Sequence, residues 1–148
     1  MREILFKAKR IDNGEWIEGY LFDDGMLGEK RMFIGKLVIA PYKGPIRGKW
    51  TVIANGFDEV DPDTICQFTG LCDKNGNRIW ENDILMAHLD ESYPEDATYE
   101  TVEWGVAGWV AHEIGSTDRE YLNEFDLENF EVVGNIFDNP ELLQEEHK

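Results

Sequence analysis

The sequence predicts a mainly β fold, a barrel or roll followed by a short helical tail. Three observations carry this. Short runs rich in aromatic and β-branched residues recur along the 148-residue chain. Gly, Asn and Asp turn signals divide them at close spacing. Nowhere does a strand pattern alternate with a long helical one, which argues against a doubly wound α/β fold.

The first element is a hairpin over Glu3–Phe22. Ile4–Ile11 and Glu15–Phe22 are its strands, and Asn13-Gly14 between them supplies the positive φ that tight hairpin turns need. Asp23–Gly28 reads as a loop. Arg31–Ala40 reads as a strand pair, or as one strand with a bulge at Gly35. Pro41–Lys49, with two prolines and two glycines, is a loop, and Trp50–Ala54 returns as a strand. Val60-Asp61-Pro62 marks a boundary, because proline disfavours helix in the residue before it. The division is set there, giving an N-terminal β region over 1–58, a second β domain over 59–137 and a helical tail over 138–148.

In the second domain Thr64–Leu71 is a strand, Asp73–Asn77 a turn around Asn75-Gly76, and Arg78–Trp80 the return. Ile84–Leu89, Tyr99–Glu103, Val106–His112 and Glu131–Phe137 are further strands, and Asp90–Asp96 is a polar loop. Thr117-Asp118-Arg119-Glu120 fits a capping box and predicts a short helix over Asp118–Phe125. Asn139-Pro140-Glu141 offers an N-cap, a proline at the first helical position and an acid in the first turn, predicting a helix over Pro140–Glu146.

Charge is distributed unevenly. Residues 1–80 carry 12 Lys/Arg and 12 Asp/Glu, whereas residues 81–148 carry 2 and 19, the whole of the net −17. Nucleic acid and anionic lipid both need positive potential, so no direct binding to nucleic acid or to a membrane is expected, least of all through the C-terminal part, and the lack of a basic groove disfavours stacking of single-stranded nucleic acid on the aromatics. The longest apolar runs are a few residues, too short to span a membrane. The charged start MREILFKAKR does not resemble a secretion signal, which points to the cytoplasm. Cys66 and Cys72 lie on one extended segment, roughly 20 Å apart at the strand rise per residue, so two free thiols are expected.

Chemical motifs are sparse. Gly28–Lys36 places six residues between its glycines where a phosphate loop has four. His88, His112 and His147 are far apart, and no Cys-x-x-Cys occurs, so no metal site is expected. Asp73–Asn77 begins like a calcium loop but carries its glycine in the fourth position, not the sixth. Ser92 and Ser116 are the only serines, and neither sits in a nucleophile elbow. The chain is therefore read as non-enzymatic, with no cofactor. Five tryptophans are dense for this length. Most should pack in cores, but any that is exposed suits a protein interface. The candidate surface comprises Trp80, Tyr93, Tyr99, Trp104 and Trp109, while Asn13, Gly14, Asn75, Gly76 and Asn82 are read as structural turn residues.

Thr69-Gly70-Leu71, Asp73-Lys74-Asn75-Gly76, Ile79 and Glu81-Asn82-Asp83-Ile84 together resemble the central signature of the YopX family of phage and prophage proteins. KAKRIDNGEWIEGYL, VDPDTICQFTGL and EVVGNIFDNPELL agree in order. Asn82 stands where the family usually has glycine, and asparagine is the side chain that next best tolerates positive φ. The resemblance implies an SH3-like small β-barrel for residues 59–137 and a phage or prophage origin in a bacterial host. It transfers no catalytic residue. The expected role is a protein-binding accessory module whose partner is unidentified, a basic host protein being the candidate. The alternative is an acidic nucleic-acid mimic that blocks a host DNA- or RNA-binding protein. Edge strands and tryptophans also provide for a homo-oligomer, within limits set by repulsion between acidic parts.

Overall fold

A computed structural model of the chain describes residues 3–88, 97–123 and 127–144. Among them run eleven strands: β1 (Phe6–Lys9), β2 (Trp16–Asp23), β3 (Met32–Pro41), β4 (Trp50–Val60), β5 (Cys66–Cys72), β6 (Arg78–Trp80), β7 (Asp83–His88), β8 (Ala97–Trp104), β9 (Trp109–Glu113), β10 (Arg119–Tyr121) and β11 (Phe130–Asn135). The named helical elements of the described residues are 3-10 turns at Pro62–Thr64 and Pro140–Leu143. All strand pairs are antiparallel. The chain divides into two compact units, Ile4–Gln67 and Phe68–Lys148, the second also including Met1–Glu3.

The first unit orders its strands β4-β3-β2-β1-β5. The β1–β2 hairpin closes at Asn13-Gly14 as expected: the Asn13 side chain accepts the Glu15 N–H at 3.0 Å, and Gly14 has φ +71°. The register of β3 against β4 shifts between Gly35 and Leu37, so the bulge lies where the glycine predicted it. Ala8, Ile34 and Val60 form the core, with Phe6, Ile17, Leu21, Met32 and Ile65 packed around them. The division between units falls at Gln67/Phe68, beyond the expected 58/59. Val60 belongs to this first core. Asp61 donates its N–H to the Lys9 carbonyl, and Thr64 Oγ1 accepts the Lys9 N–H at 2.9 Å. Those bonds tie the proline turn back onto β1 and keep it with the first unit.

The second unit holds a sheet ordered β10-β9-β8-β7-β11, together with the β5–β6 pairing of Phe68 with Trp80 and Cys72 with Arg78. Its core is Ile79, Leu85, Val102, Trp109 and Leu127, flanked by Leu71, Leu122, Phe130 and Val132. The sheet ends in β10 on one side and β11 on the other. It is open, and the expected SH3-like closed barrel is not seen among the described residues. Cys66 and Cys72 stand at the two ends of β5 and are both free.

One helix expectation is overturned, and another is met only by a 3-10 turn. Over 119–121 the chain forms β10, because pairing of Arg119, Glu120 and Tyr121 with His112, Ala111 and Val110 extends the sheet and sets Arg119 beside Glu103 at 3.3 Å. Tertiary pairing overrides the local capping signal. At the C-terminus, Asn139 makes no side-chain cap, and only the 3-10 turn Pro140–Leu143 follows. Asn139 Oδ1 instead accepts the Asn135 N–H at 3.2 Å. The expected loop over 90–96 and the last residues of the expected helix lie outside the described residues.

The same asparagine explains Gly134. A Cβ at that position would lie 2.2 Å from Asn139 Oδ1. Gly134→Ala should therefore lower stability by about 1–3 kcal/mol, read as a lower midpoint in urea unfolding. Gly134→Ala in an Asn139→Ala background should recover part of that loss.

Candidate functional site

The signature segment is dense in polar residues, and three of them are buried: Thr69, Asp73 and Asp83. Each is bonded to backbone. Thr69 Oγ1 donates to the Ile79 carbonyl at 2.7 Å and accepts the Leu71 N–H at 3.1 Å, bridging the register break in β5 at Gly70. Asp83 Oδ2 accepts the Trp80 N–H at 2.8 Å and closes the turn into β7. Asn82 takes φ +69° in that turn, so its place in a glycine position is met by left-handed backbone. Its N–H donates to the Val102 carbonyl, and its own carbonyl accepts from Ile136.

Asp73 has the widest reach. Oδ1 accepts the Asn75 and Asn77 N–H groups, both at 2.9 Å, and Oδ2 accepts the Val132 N–H at 2.9 Å. Burial alone would push its pKa up. The backbone donors at Val132, Asn77 and Asn75, with the Asn77 side chain, outweigh that and hold it below the usual carboxylate value. Gly76, at φ +82°, completes the turn. The segment that looks most like chemistry is a set of backbone caps. Among the described residues, no three His, Cys, Asp or Glu side chains gather as a metal-holding group.

The five candidate aromatics separate. Trp80 and Trp109 are buried, at 5% and 7% exposure, and cannot form the expected surface. Trp80 packs on Phe68 with ring centroids 5.4 Å apart, and Trp109 belongs to the core. Tyr99 is half-buried on β8 opposite Met86. Tyr93 lies outside the described residues. Trp104 alone of the described four is exposed, at 56%, and it meets Trp109 edge-on at 4.8 Å. The buried ring holds the exposed one in place.

Around Trp104 the structure assembles residues that the sequence reading missed. The β8–β9 connection is a turn, Gly105–Gly108, closed by a 2.7 Å bond from the Gly105 N–H to the Gly108 carbonyl. Val106 stands in that turn fully exposed, not in the expected strand. Tyr121, on edge strand β10, is also exposed. Trp104, Gly105, Val106, Val110, Arg119 and Tyr121 line a shallow cleft of ≈ 540 Å³. Glu103 bridges Arg119 and His112, at 3.3 and 3.2 Å, and so positions the guanidinium at the cleft. The legible signal was an apolar valine inside a Gly-x-x-Gly turn, a position where polar residues are usual.

Fold and site together define a small antiparallel β protein with capped corners and an exposed aromatic edge. The YopX protein family model matches residues 29–144, and the chain belongs to that family. No curated protein matches it. Among solved structures it is similar to the crystal structure of protein EF1440 from Enterococcus faecalis, with TM-score 0.66 and 22% identity. That match covers 97% of this chain and 100% of the other, and it shows a shared fold. No helix of the described residues is long and apolar enough to cross a membrane.

The Asp73 geometry gives a pH-dependent prediction. Because the folded pKa is depressed, its stabilisation is complete above the unfolded value near 4 and is lost as pH falls through the folded value. Asp73→Asn should cost about 2–3 kcal/mol at pH 7. The difference from wild type should shrink in urea unfolding as pH falls below about 4.

Proposed function

We propose that the chain is a non-catalytic binding module whose partner is a protein, and that the Trp104 cleft is its contact surface. The observation carrying this is the exposed, apolar Trp104–Val106–Tyr121 cluster, in which Trp104 packs edge-on against its cross-strand partner Trp109 and Tyr121 stands on the β10 edge. An exposed tryptophan beside an arginine has the composition of an interface anchor. The caps formed by Thr69, Asp73 and Asp83 support the non-catalytic part of the reading, since their bonds are made to backbone within the fold. A phage or prophage origin, with action in the bacterial cytoplasm, belongs to the proposal and rests on the family's signature.

The acidic-mimic alternative draws on the −17 charge. Glu103, near the end of β8, is engaged by Arg119 and His112 in place of joining a free acidic row. We therefore prefer the binding reading, with a basic host protein as the partner suited to the surrounding charge.

Wild-type protein immobilised on resin should retain one host protein in stoichiometric amount after a wash at physiological salt. Trp104→Ala combined with Val106→Asp should reduce retention at least about tenfold, as loss of an interface anchor does, with the melting temperature shifted by only a few degrees. Unchanged capture by the double variant would remove the cleft from the proposal. Capture limited to assorted basic proteins, all eluted by salt, would remove the proposal itself.

A further inference from the structure

The net zero charge of residues 1–80 conceals a second segregation. From Met32 to Phe57 the chain carries Lys36, Lys43, Arg47 and Lys49 and no Asp or Glu. This stretch is most of the β3–β4 hairpin. β2 pairs with β3 only over Met32–Gly35, whereas β3 and β4 stay paired out to Pro41 and Trp50. Beyond Gly35 the hairpin is therefore a two-stranded arm, and every residue from Pro41 to Trp50 is exposed.

Three other cations of the same unit are neutralised where they stand. Arg10 meets Asp12 and Asp58, Lys30 meets Asp23, and Arg31 makes a two-point pair with Glu59 at 2.6 and 2.9 Å. The ion pairs of the described residues include none of the four arm cations. The arm also exposes aromatic rings. Trp50 is 62% exposed, and Tyr42 is exposed with Lys49 Nζ 4.9 Å from its ring centroid. The Tyr42 N–H donates to the Lys49 carbonyl at 3.0 Å, which fixes both residues at the start of the tip. Ala40, Pro41, Tyr42 and Thr51 form a shallow, mostly apolar notch beside Lys43.

We infer that the β3–β4 arm is a contact for single-stranded nucleic acid, with Lys43, Arg47 and Lys49 along the phosphates and Trp50 and Tyr42 stacking on bases. Cations on an exposed ribbon would serve any polyanion. The two exposed rings favour a polyanion whose units carry planar faces, and unpaired bases offer such faces while bases in a duplex are already stacked. The chain's −17 opposes approach at long range. Screening over about 8 Å at physiological salt leaves the local charge of the arm to act at contact. This site is separate from the Trp104 cleft and does not depend on it.

The test is fluorescence anisotropy of a labelled oligothymidylate of about 20 nucleotides with the full chain. Wild type should bind, and the three engaged cations should make affinity fall about 20-fold between about 50 and 200 mM salt. Lys43→Glu with Arg47→Glu and Lys49→Glu should abolish binding. Trp50→Ala should weaken it about tenfold or more, while Trp104→Ala should leave it unchanged. All three substituted sites of the charge variant are exposed, and far-ultraviolet circular dichroism should match wild type in each case. No binding at about 50 mM salt, or equal binding by the charge variant, would overturn the inference. Binding of the matching duplex as tight as the single strand would overturn the stacking assignment. Displacement by polyglutamate as effective as by unlabelled oligonucleotide would assign the arm to an acidic protein segment instead.

Discussion

The carboxylate of Asp73 is the constraint on which the second unit depends. It takes three backbone N–H groups, two from its own turn and one from Val132, a residue far along the chain. The turn alone would be a local feature. The bond to Val132, with the Lys74 N–H donating to the Phe130 carbonyl, fastens it to β11. β11 in turn pairs with β7, which opens the sheet leading through β8 and β9 to the Trp104 edge. Buried carboxylates are costly unless fully bonded. The lowered pKa of Asp73 shows that here the donors prevail over desolvation.

The same device recurs at other turns of the fold. Asp61 accepts the Asp63 N–H and caps its 3-10 turn, Asn13 accepts the Glu15 N–H, and Asn135 Oδ1 accepts the Phe137 and Asp138 N–H groups. Short strands bury little apolar surface each, so their connections must be specified by side-chain bonds to backbone. The segments whose motifs resemble the family's signature are thus corners of the fold. The surfaces offered for binding lie between them, in the β3–β4 arm and the β8–β9–β10 edge.

Much of this was legible. Asn13-Gly14, Asn75-Gly76 and Asn82 were read as turns from the backbone freedom of their residue types, and each takes the positive φ expected of it or caps the turn beside it. The bulge at Gly35 was readable for the same reason. The burial of Trp80 and Trp109, against the exposure of Trp104, was not. Trp104 and Trp109 are opposite partners across one hairpin, and their sequence patterns are nearly mirror images. As opposite partners the two rings share one face of the sheet, and only Trp109 joins the core with Ile79 and Leu85, which arrive from earlier in the chain, while Trp104 stays exposed. The helix expected over 118–125 failed on similar grounds, since the capping pattern is local and the open edge of β9 is not.

The sequence by itself determined the mainly β class, the turn positions, the two free thiols and the acidic bias of residues 81–148, because each follows from residue type or from short separations along the chain. Only the tertiary structure decided that the second sheet stays open, that the first unit extends to Gln67, and that Trp104 joins Val106, Tyr121 and Arg119 at one cleft. It also decided that four cations share one exposed arm whose charge the sum over residues 1–80 had cancelled. Those outcomes depend on pairing between distant strands, and strand pairing is selected by the packing of whole faces, which no local window of sequence contains.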